Sequence, residues 1–186
     1  MALRMMREIG DAILHKRSKE LKKISRRDLY LIEDMLDTMY DREGVGLAAP
    51  QIGVLKRIVV IHGGINDLNT CPEETKEAVE GEEGEGVEEL ADVGPIILIN
   101  PVITKEEGSQ TGEEACLSVP GKWGLVTRPE KITVKAVDAN MEEFELEGEG
   151  LLARAICHEI DHLDGKLYVD LVEGELRDAD DRDEEE

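Results

Sequence analysis

The sequence LLARAICHEIDHL, residues 151–163, predicts one buried helix that carries the pattern His-Glu-x-x-His. An α-helix turns about 100° per residue, so residues four apart lie one above the other on the same face. His158 and His162 therefore project side by side, with the spacing that lets two imidazoles hold one metal ion. Glu159 lies one step around the helix, where it can reach a water on that metal but is poorly placed as a third ligand. The pattern indicates two metal ligands and a general base.

Two histidines can also fall four residues apart on an amphipathic helix without binding a metal. The chain has only four histidines, so this alternative is less favoured. A catalytic metal site usually takes three protein ligands and a water, and no histidine follows His162. The glutamates downstream, at 173, 175 and 184–186, lie in or near an acidic tail with little to fix them. The third ligand is therefore expected upstream.

Three cysteines compete for the third position. Cys116, in GEEACLSVPG, is flanked by small and apolar residues before a proline-glycine turn, and its thiolate would complete a Cys-His-His set. Cys71 lies in a glycine- and glutamate-rich stretch. Cys157 is turned about 100° from His158, on the side opposite Glu159, and is expected to pack in the core. Cys116 is the best candidate of the three.

The composition limits the partners that the chain can have. Its 186 residues suit one domain with a core, and it carries 22 basic against 44 acidic side chains, a net charge of −22. A field of this sign repels nucleic acid and anionic membranes, so neither is expected as a direct partner. Much of the acid lies in loops expected to be solvated. We predict a single domain over 1–186, with an acidic surface insertion at about 63–94 and an acidic tail from about 173.

The sequence also favours a cytoplasmic protein. It has no apolar run near the roughly 20 residues of a membrane helix. The first twenty residues, MALRMMREIGDAILHKRSKE, are too charged to form a secretory signal. Three cysteines at irregular spacing do not make a disulfide framework, which fits a reducing compartment.

Periodicity predicts the elements around the central helix. Residues 1–24 read as an extended arm with a basic patch, HKRSKELKK. A solvated segment is the favoured interpretation of the patch, and an anion-binding role is the alternative. Ser25 and Asp28 resemble a capping box that opens a helix ending at Gly44. Its predicted apolar positions are Leu29, Ile32, Leu36 and Met39. The predicted strands are 57–62, 95–103, a hairpin of 131–138 with 142–147, and a short strand at 166–171.

Three stretches in order along the chain, GVGLAAPQ, EACLS and HEIDH, resemble the three motifs of peptide deformylases. This family removes the formyl group from the N-terminal formyl-methionine of newly made bacterial and organellar proteins. The likeness runs from about residue 25 to 171, apart from the acidic insertion. It implies a mixed α+β fold with antiparallel strands packed around the metal-bearing helix, in agreement with the elements predicted above.

The resemblance implies roles for particular residues. Cys116, His158 and His162 match the family's metal ligands, and Glu159 matches its acid/base. The Gln51 side chain and the Leu117 backbone N–H match the groups that contact the reacting carbonyl. The remaining matches are the substrate-binding positions Gly46, Val45, Leu151 and Arg154, the last three at the methionine pocket and its mouth, and the supporting pair Glu114 and Arg128. That pair is expected to form a salt bridge behind Cys116.

The resemblance also implies a cofactor and partners. One divalent metal ion is expected, natively Fe²⁺, although Zn²⁺, Ni²⁺ and Co²⁺ also accept a Cys-His-His site. The expected substrates are N-formylmethionyl nascent peptides. Transient contact with the ribosome is compatible with this role, but the sequence shows no basic C-terminal helix like the one by which some members dock.

Two positions depart from the family pattern. Ala115 stands where Gly is common before the cysteine, which restricts a backbone that must turn sharply. Trp123 falls where some members carry an arginine near the substrate, and either an apolar cleft wall or ordinary packing would explain it.

Two other functions compete with deformylation. A zinc peptidase would need a further ligand downstream of His162. A non-catalytic binding module would be expected to lose Glu159 or Cys116, and the chain has both.

Overall fold

In the computed structural model, which describes residues 2–64 and 94–179, the helix with the His-Glu-x-x-His pattern lies against a five-stranded antiparallel sheet. This helix, α2, spans Gly150–Leu163. Most of it is buried, from Leu152 to Ile160 without a break. Its apolar side chains, among them Ile156 and Ile160, join the main core cluster. Such burial places any polar group on the helix in a setting where it needs a partner.

The five-stranded sheet has the order β1-β2-β3-β6-β7, with every pair antiparallel. Its strands are β1 (Gly46–Ala48), β2 (Ile58–Ile61), β3 (Ile96–Glu107), β6 (Lys131–Val137) and β7 (Glu143–Glu149). Side chains alternate along β6, so Ile132, Val134 and Ala136 are buried in the cluster that contains α2. The predicted hairpin and the predicted packing of antiparallel strands around the helix are confirmed.

The second sheet has three antiparallel strands in the order β4-β5-β8. They are β4 (Gln110–Cys116), β5 (Val119–Arg128) and β8 (Arg177–Asp178). The register between β4 and β5 shifts at Ala115 and Cys116, where β4 ends. This irregularity lies at the point where the chain presents the Cys116 thiol.

Helix α1, Arg26–Asp41, begins as predicted: the Ser25 backbone N–H donates to Asp28 Oδ2 at 2.9 Å. The buried face differs from the predicted one. Leu31, Ile32, Met35 and Met39 are buried, whereas Leu29 is 40% exposed. Both sets follow helical spacing, so periodicity alone could not tell which stripe meets the sheet.

The end of α1 corrects the prediction that Gly44 caps it. Glu43, not Gly44, adopts the left-handed conformation, with φ of 53°. Gly44 instead lies in close contact with another segment, since a Cβ there would lie 2.8 Å from Leu117 Cδ1. Glycine is therefore favoured at position 44, because a Cβ would collide with the Leu117 side chain at the edge of the cleft.

The N-terminal arm is more tightly packed than predicted. Leu14 is fully buried and Leu21 is 8% exposed. The Ser18 N–H donates to Leu163 O at 2.8 Å, which satisfies a carbonyl at the end of α2. Asn100 holds the arm through two hydrogen bonds with the Leu21 backbone, at 2.8 and 2.9 Å.

One prediction near the C-terminus is wrong. Residues 166–171 are not a strand, because Tyr168–Asp170 forms a 3₁₀ turn. The Asp170 carboxylate accepts from the Leu167 N–H at 3.0 Å, an end-capping contact that favours this turn. Residues 173–179 are exposed, and within them Arg177–Asp178 forms a short strand that was not predicted, β8, which pairs with Lys122 and Trp123 of β5.

Several predictions fall outside the described residues. They concern most of the acidic insertion, with Cys71, and the end of the acidic tail at 180–186. Among the helices in the described part of the chain, none is long and apolar enough to cross a membrane.

Candidate metal centre

The structure brings together Cys116, His158 and His162, which the sequence separates widely. One nitrogen or sulfur atom from each lies within 4.8 Å of the others. Cys116 Sγ lies 3.2 Å from Nε2 of His162. A thiolate and two imidazoles at this separation are a donor set that Zn²⁺, Fe²⁺, Ni²⁺ or Co²⁺ accepts, with a position left for a water. The residues present therefore fit a divalent metal ion.

Glu114 orients one of the two histidines. Its Oε2 lies 2.9 Å from Nδ1 of His158, which leaves Nε2 for a metal. Burial raises the pKa of Glu114, but hydrogen bonds from His158 and Arg128 outweigh it and lower the pKa to about 2. The carboxylate stays charged and fixes the imidazole.

The two histidines differ in their affinity for a proton. Burial opposes the charged form of His158, but the Cys116 sulfur and Glu114 raise its pKa well above the ordinary value. Burial, followed by the charge on His158, lowers the pKa of His162 well below that value. The pKa values of the two rings are thus shifted in opposite directions, and a divalent cation would bind both rings in their unprotonated form.

The predicted salt bridge between Glu114 and Arg128 is present. Arg128 Nε donates to Glu114 Oε1 at 2.9 Å, and Nη2 donates to Oε2 at 3.0 Å. The same guanidinium donates to Asp161 on α2. Arg128 therefore links β5, β4 and the metal-bearing helix in one buried network.

Arg154 enters the same network. Its Nη1 donates to Glu114 Oε1 at 3.0 Å and to Val126 O at 3.0 Å, and Nη2 donates to Gln110 O at 3.3 Å. The residue borders the cleft, as the resemblance implied. The positive charge of Arg154, however, is paired with the Glu114 carboxylate inside the protein. The sequence did not reveal this ion pair.

Glu159 is buried beside the two rings. It is 4% exposed, and burial raises its pKa to about 7. Its Oε2 has no hydrogen-bond partner among the described residues. A Cβ on Gly46 would lie 2.7 Å from Glu159 Oε1, so only glycine leaves room for the carboxylate. A buried carboxyl with a pKa near neutrality can both accept and release a proton at neutral pH.

Gln51 is fixed at the metal centre by both ends of its amide. Oε1 accepts from the Ala48 N–H at 2.7 Å, and Nε2 lies 3.4 Å from Cys116 Sγ and 3.3 Å from Ser118 Oγ. Ser118, which the sequence did not single out, is fully buried, and its N–H lies 3.4 Å from the same sulfur. Ser118 is the last residue of the motif EACLS, and this position in the sequence could have identified it as a site residue.

Most of the predicted site residues border one cleft of about 590 Å³, whereas His162 and Arg128 are not among its lining residues. Its walls include the predicted site residues Val45, Gly46, Gln51, Glu114, Cys116, Leu117, Leu151, Arg154, His158 and Glu159. Trp123 borders it as well, in favour of the cleft-wall alternative. A cleft of this size suits part of a peptide.

Cys157 is not a ligand in the structure. It is 6% exposed and packs in the core cluster with α2's apolar residues. Burial raises its pKa to about 12, which keeps it a neutral thiol. The predicted core role is confirmed.

The helix, the sulfur and the buried carboxylate define a class: a metal-dependent hydrolase in which a thiolate replaces the third imidazole or carboxylate. A sequence model described as polypeptide deformylase matches residues 3–177. A peptide deformylase of Lachnoclostridium phytofermentans is 54% identical over 186 residues, covering 100% of this chain and 99% of the relative. One from Agathobacter rectalis is 48% identical, covering 96% of each.

Solved structures agree with the sequence relatives. A peptide deformylase from Legionella pneumophila superposes with a TM-score of 0.73 at 41% identity, covering 92% of this chain and 87% of that one. The enzyme from Thermotoga maritima gives 0.75 at 32% identity, covering 94% and 100%. The chain belongs to the peptide deformylase family. It is an enzyme that removes the formyl group from N-terminal formyl-methionine.

Proposed function

We propose that Cys116, His158 and His162 hold the divalent metal of this deformylase. The observation that carries the proposal is the approach of the three donor atoms to within 4.8 Å of one another. When bound there, the metal supplies a water of lowered pKa and a positive charge for the formyl oxygen. The hydrogen bond from His158 to Glu114 orients the ring for this role.

Glu159 acts as the acid and base. Its carboxylate takes a proton from the attacking water and returns it to the leaving amine, which releases formate and a free N-terminus. A buried carboxyl with its pKa near neutrality suits both directions of transfer. The cation beside it favours the carboxylate form that starts the cycle.

Gln51 and Leu117 stabilise the oxygen that becomes negative during attack. The Gln51 Nε2 amide lies beside the Cys116 sulfur, and Leu117 follows that cysteine along the cleft. A prearranged donor of this kind is typically worth about 3–4 kcal/mol in the transition state. The hydrogen bond between Gln51 Oε1 and Ala48 keeps the amide from rotating.

The substrate binds in the cleft with its methionine side chain against Val45 and Leu151, and with its backbone on Gly46. Val45 and Leu151 are half-buried and apolar, which suits a thioether chain. Arg154 borders this part of the cleft with its charge satisfied internally. Formyl is the smallest acyl group, so a tight site admits it and excludes acetyl.

We propose Fe²⁺ as the native metal, with Zn²⁺, Ni²⁺ and Co²⁺ able to replace it. One thiolate makes the site softer than an all-imidazole or carboxylate set. A thiolate beside ferrous iron is open to oxidation, so activity is expected to fall in air as Cys116 oxidises.

We propose that the enzyme works in the cytoplasm on nascent peptides, with transient contact to the ribosome. An exposed basic strip on the N-terminal arm, Lys16, Arg17, Lys19, Lys22 and Lys23, supports this. It would attract an anionic surface on the ribosome, although the net charge of the whole chain opposes binding to free nucleic acid. Co-sedimentation with ribosomes should weaken as salt rises, and more so after Lys22→Glu and Lys23→Glu together. Ribosome binding that does not weaken as salt rises would contradict the proposed role of this basic strip.

The catalytic unit is proposed to be a single domain to which the acidic insertion is peripheral. Deleting residues 72–92 should leave formate release within about twofold of the intact chain. A collapse in rate with retained folding would place the insertion at the site.

The test of the function is formate release from formyl-Met-Ala by protein loaded with Fe²⁺ under anaerobic conditions. Formyl-Met-Ala should be hydrolysed and acetyl-Met-Ala should be inert. Equal turnover of the two would contradict the proposed exclusion of larger acyl groups. Lack of turnover with a full metal complement would contradict the activity itself.

A further inference from the structure

We propose that the C-terminal strand β8 completes the substrate cleft. In this arrangement Arg177 is a positioning residue that holds Trp123 as the wall for the part of the peptide beyond formyl-methionine. The inference rests on the deformylase activity and adds a determinant of peptide affinity from a segment that the three motifs do not include.

The first support is the row of side chains across the second sheet. Ala115 pairs with Trp123, and Trp123 pairs with Arg177. Residues directly opposite each other in antiparallel strands project from the same face. The Arg177 guanidinium carbon lies 5.0 Å from the centre of the Trp123 ring, within cation–π range. One row therefore runs from β8 to the residue before Cys116.

The second support is how the indole is fixed and what it borders. Trp123 Nε1 donates to Asp178 O at 3.0 Å, so β8 holds the ring by its polar edge as well as by its face. Trp123 and Ala179, the residue after β8, both border the cleft that Cys116 and His158 also line. The C-terminal segment thus contributes to the cleft through Ala179, and β8 supports the indole that forms part of its wall.

The third support is the anchoring of the segment that leads to β8. The Tyr168 hydroxyl donates to Lys122 O at 2.9 Å, and the Glu173 N–H donates to Leu125 O at 2.8 Å. Val172 packs so closely on Gly124 that a Cβ there would lie 2.7 Å from it. The chain from 168 to 178 therefore follows β5, and β8 is held in register.

Strand spacing indicates which part of the substrate meets this wall. Neighbouring strands lie about 4.8 Å apart, and an extended peptide advances about 3.3 Å per residue. Formyl-methionine occupies the space beside Cys116 and Glu159. Trp123 lies on β5, one strand away from β4, which carries Cys116. With these spacings, the next one or two residues of an extended peptide would reach the ring.

Packing alone would also explain a tryptophan that is 4% exposed. The two roles differ in what they do to substrates of different length. A wall for the downstream residues affects KM for a peptide but not for formyl-methionine amide, which ends before the wall. A purely structural role affects both substrates, or kcat, or neither.

The kinetic test compares Arg177→Ala, Arg177→Lys and the exposed control Arg26→Ala. For formyl-Met-Ala-Ser, Arg177→Ala should raise KM about threefold to tenfold with kcat unchanged. Arg177→Lys, which keeps a cation over the ring, should recover most of that loss. Formyl-methionine amide should show no change in any variant. Equal effects on both substrates, or no effect on the tripeptide, would overturn the proposal.

A binding test separates this inference from the activity. Trp123 is the only tryptophan in the sequence, so fluorescence excited at wavelengths that tyrosine does not absorb reports on it alone. Adding the product peptide Met-Ala-Ser should shift the emission, with weaker binding in Arg177→Ala, whether or not the protein turns over. Methionine amide should leave the emission unchanged. Unchanged emission at concentrations of Met-Ala-Ser that saturate the protein in calorimetric titration would overturn the proposed wall.

Discussion

Glu114 Oε2 lies 2.9 Å from Nδ1 of His158, across 44 positions of sequence. Glu114 stands two residues before Cys116 in β4, and His158 lies on α2. One hydrogen bond therefore ties the strand that presents the thiol to the helix that presents the rings. Glu114 also forms salt bridges with Arg128 and Arg154. Loss of its carboxylate would therefore remove the hydrogen bond that orients His158 and both salt bridges behind the metal centre.

Replacing Glu114 by Gln should lower both stability and metal affinity. The change leaves two buried guanidinium groups without their shared carboxylate, which typically costs about 3–5 kcal/mol. Loss of the carboxylate partner of a ligating histidine typically weakens metal binding about 10- to 100-fold. Denaturant unfolding and metal titration measure the two effects. Glu147→Gln, on an exposed strand position, is the control, and similar behaviour of the two variants would refute the bracing role.

Replacing Glu159 by Gln should preserve the metal and remove most turnover. The amide keeps the shape of the side chain but cannot take a proton, and general acid–base groups typically contribute about 10²–10⁴ in rate. Metal content per chain and the rate of formate release are measured on the same sample. Full activity would remove Glu159 from the mechanism. A loss of metal in proportion to the loss of rate would assign it to metal retention instead.

Replacing Cys116 by Ser should weaken metal binding, because an alcohol is a poorer ligand than a thiolate for these metals. The melting temperature should then respond less to added metal, since a bound ligand stabilises only in proportion to its affinity. Cys71→Ser is the matched control and should leave the metal content unchanged. If the two variants behaved alike, Cys116 would not be a ligand.

Replacing Gly46 by Ala should reduce activity with little loss of folding. The added Cβ would lie 2.7 Å from Glu159 Oε1 and 2.9 Å from its Cγ, so the carboxylate must move. We expect kcat to fall at least about tenfold, because catalysis is sensitive to displacements of about 1 Å. Gly94→Ala is the control, since a Cβ there has no atom within 4 Å. Equal kcat values for Gly46→Ala and Gly94→Ala would show that the Glu159 side chain can accommodate the added methyl group without loss of catalysis.

Asp28 should make stability depend on pH in acid. Burial raises its pKa, but hydrogen bonds from Lys56 and Ser25 outweigh burial and hold the pKa below 3.8. A lowered pKa means that the stabilisation is fully present above 3.8 and is lost as pH falls through the folded-state pKa.

The variant Asp28→Asn isolates this charge at the start of α1. It should be less stable by roughly 1 kcal/mol at pH 7. The difference from the parent protein should shrink in denaturant unfolding as pH falls below 3.8. Glu33→Gln, an exposed change on the same helix, is the control. A difference that stayed constant with pH would show that the carboxyl does not titrate between the two states.

Local spacing was sufficient to predict α2 and two of the metal ligands. Residues four apart on a helix share a face whatever the rest of the chain does, so the sequence places His158 beside His162. Alternation by two similarly predicted β6 and β7. Comparison of the three cysteines favoured Cys116 as the third ligand, and the resemblance implied the same residue. The structure brings its sulfur within 3.2 Å of His162 Nε2.

The misses share a physical cause, since each depends on partners distant in sequence. Leu29 and Leu31 both fit helical spacing, and only the sheet decides that Leu31 is buried. The strand β8 is two residues long and exists because the edge of β5 is available to it. The internal salt bridge of Arg154 depends on Glu114, 40 positions away.

The central claim is that one sulfur and two imidazoles bind the same metal ion. X-ray absorption spectroscopy at the metal edge, on anaerobically purified protein, tests it most directly. We expect one sulfur scatterer near about 2.3 Å together with imidazole nitrogens, and loss of the sulfur in Cys116→Ser. A first coordination sphere of nitrogen and oxygen alone in the unaltered protein would contradict the account.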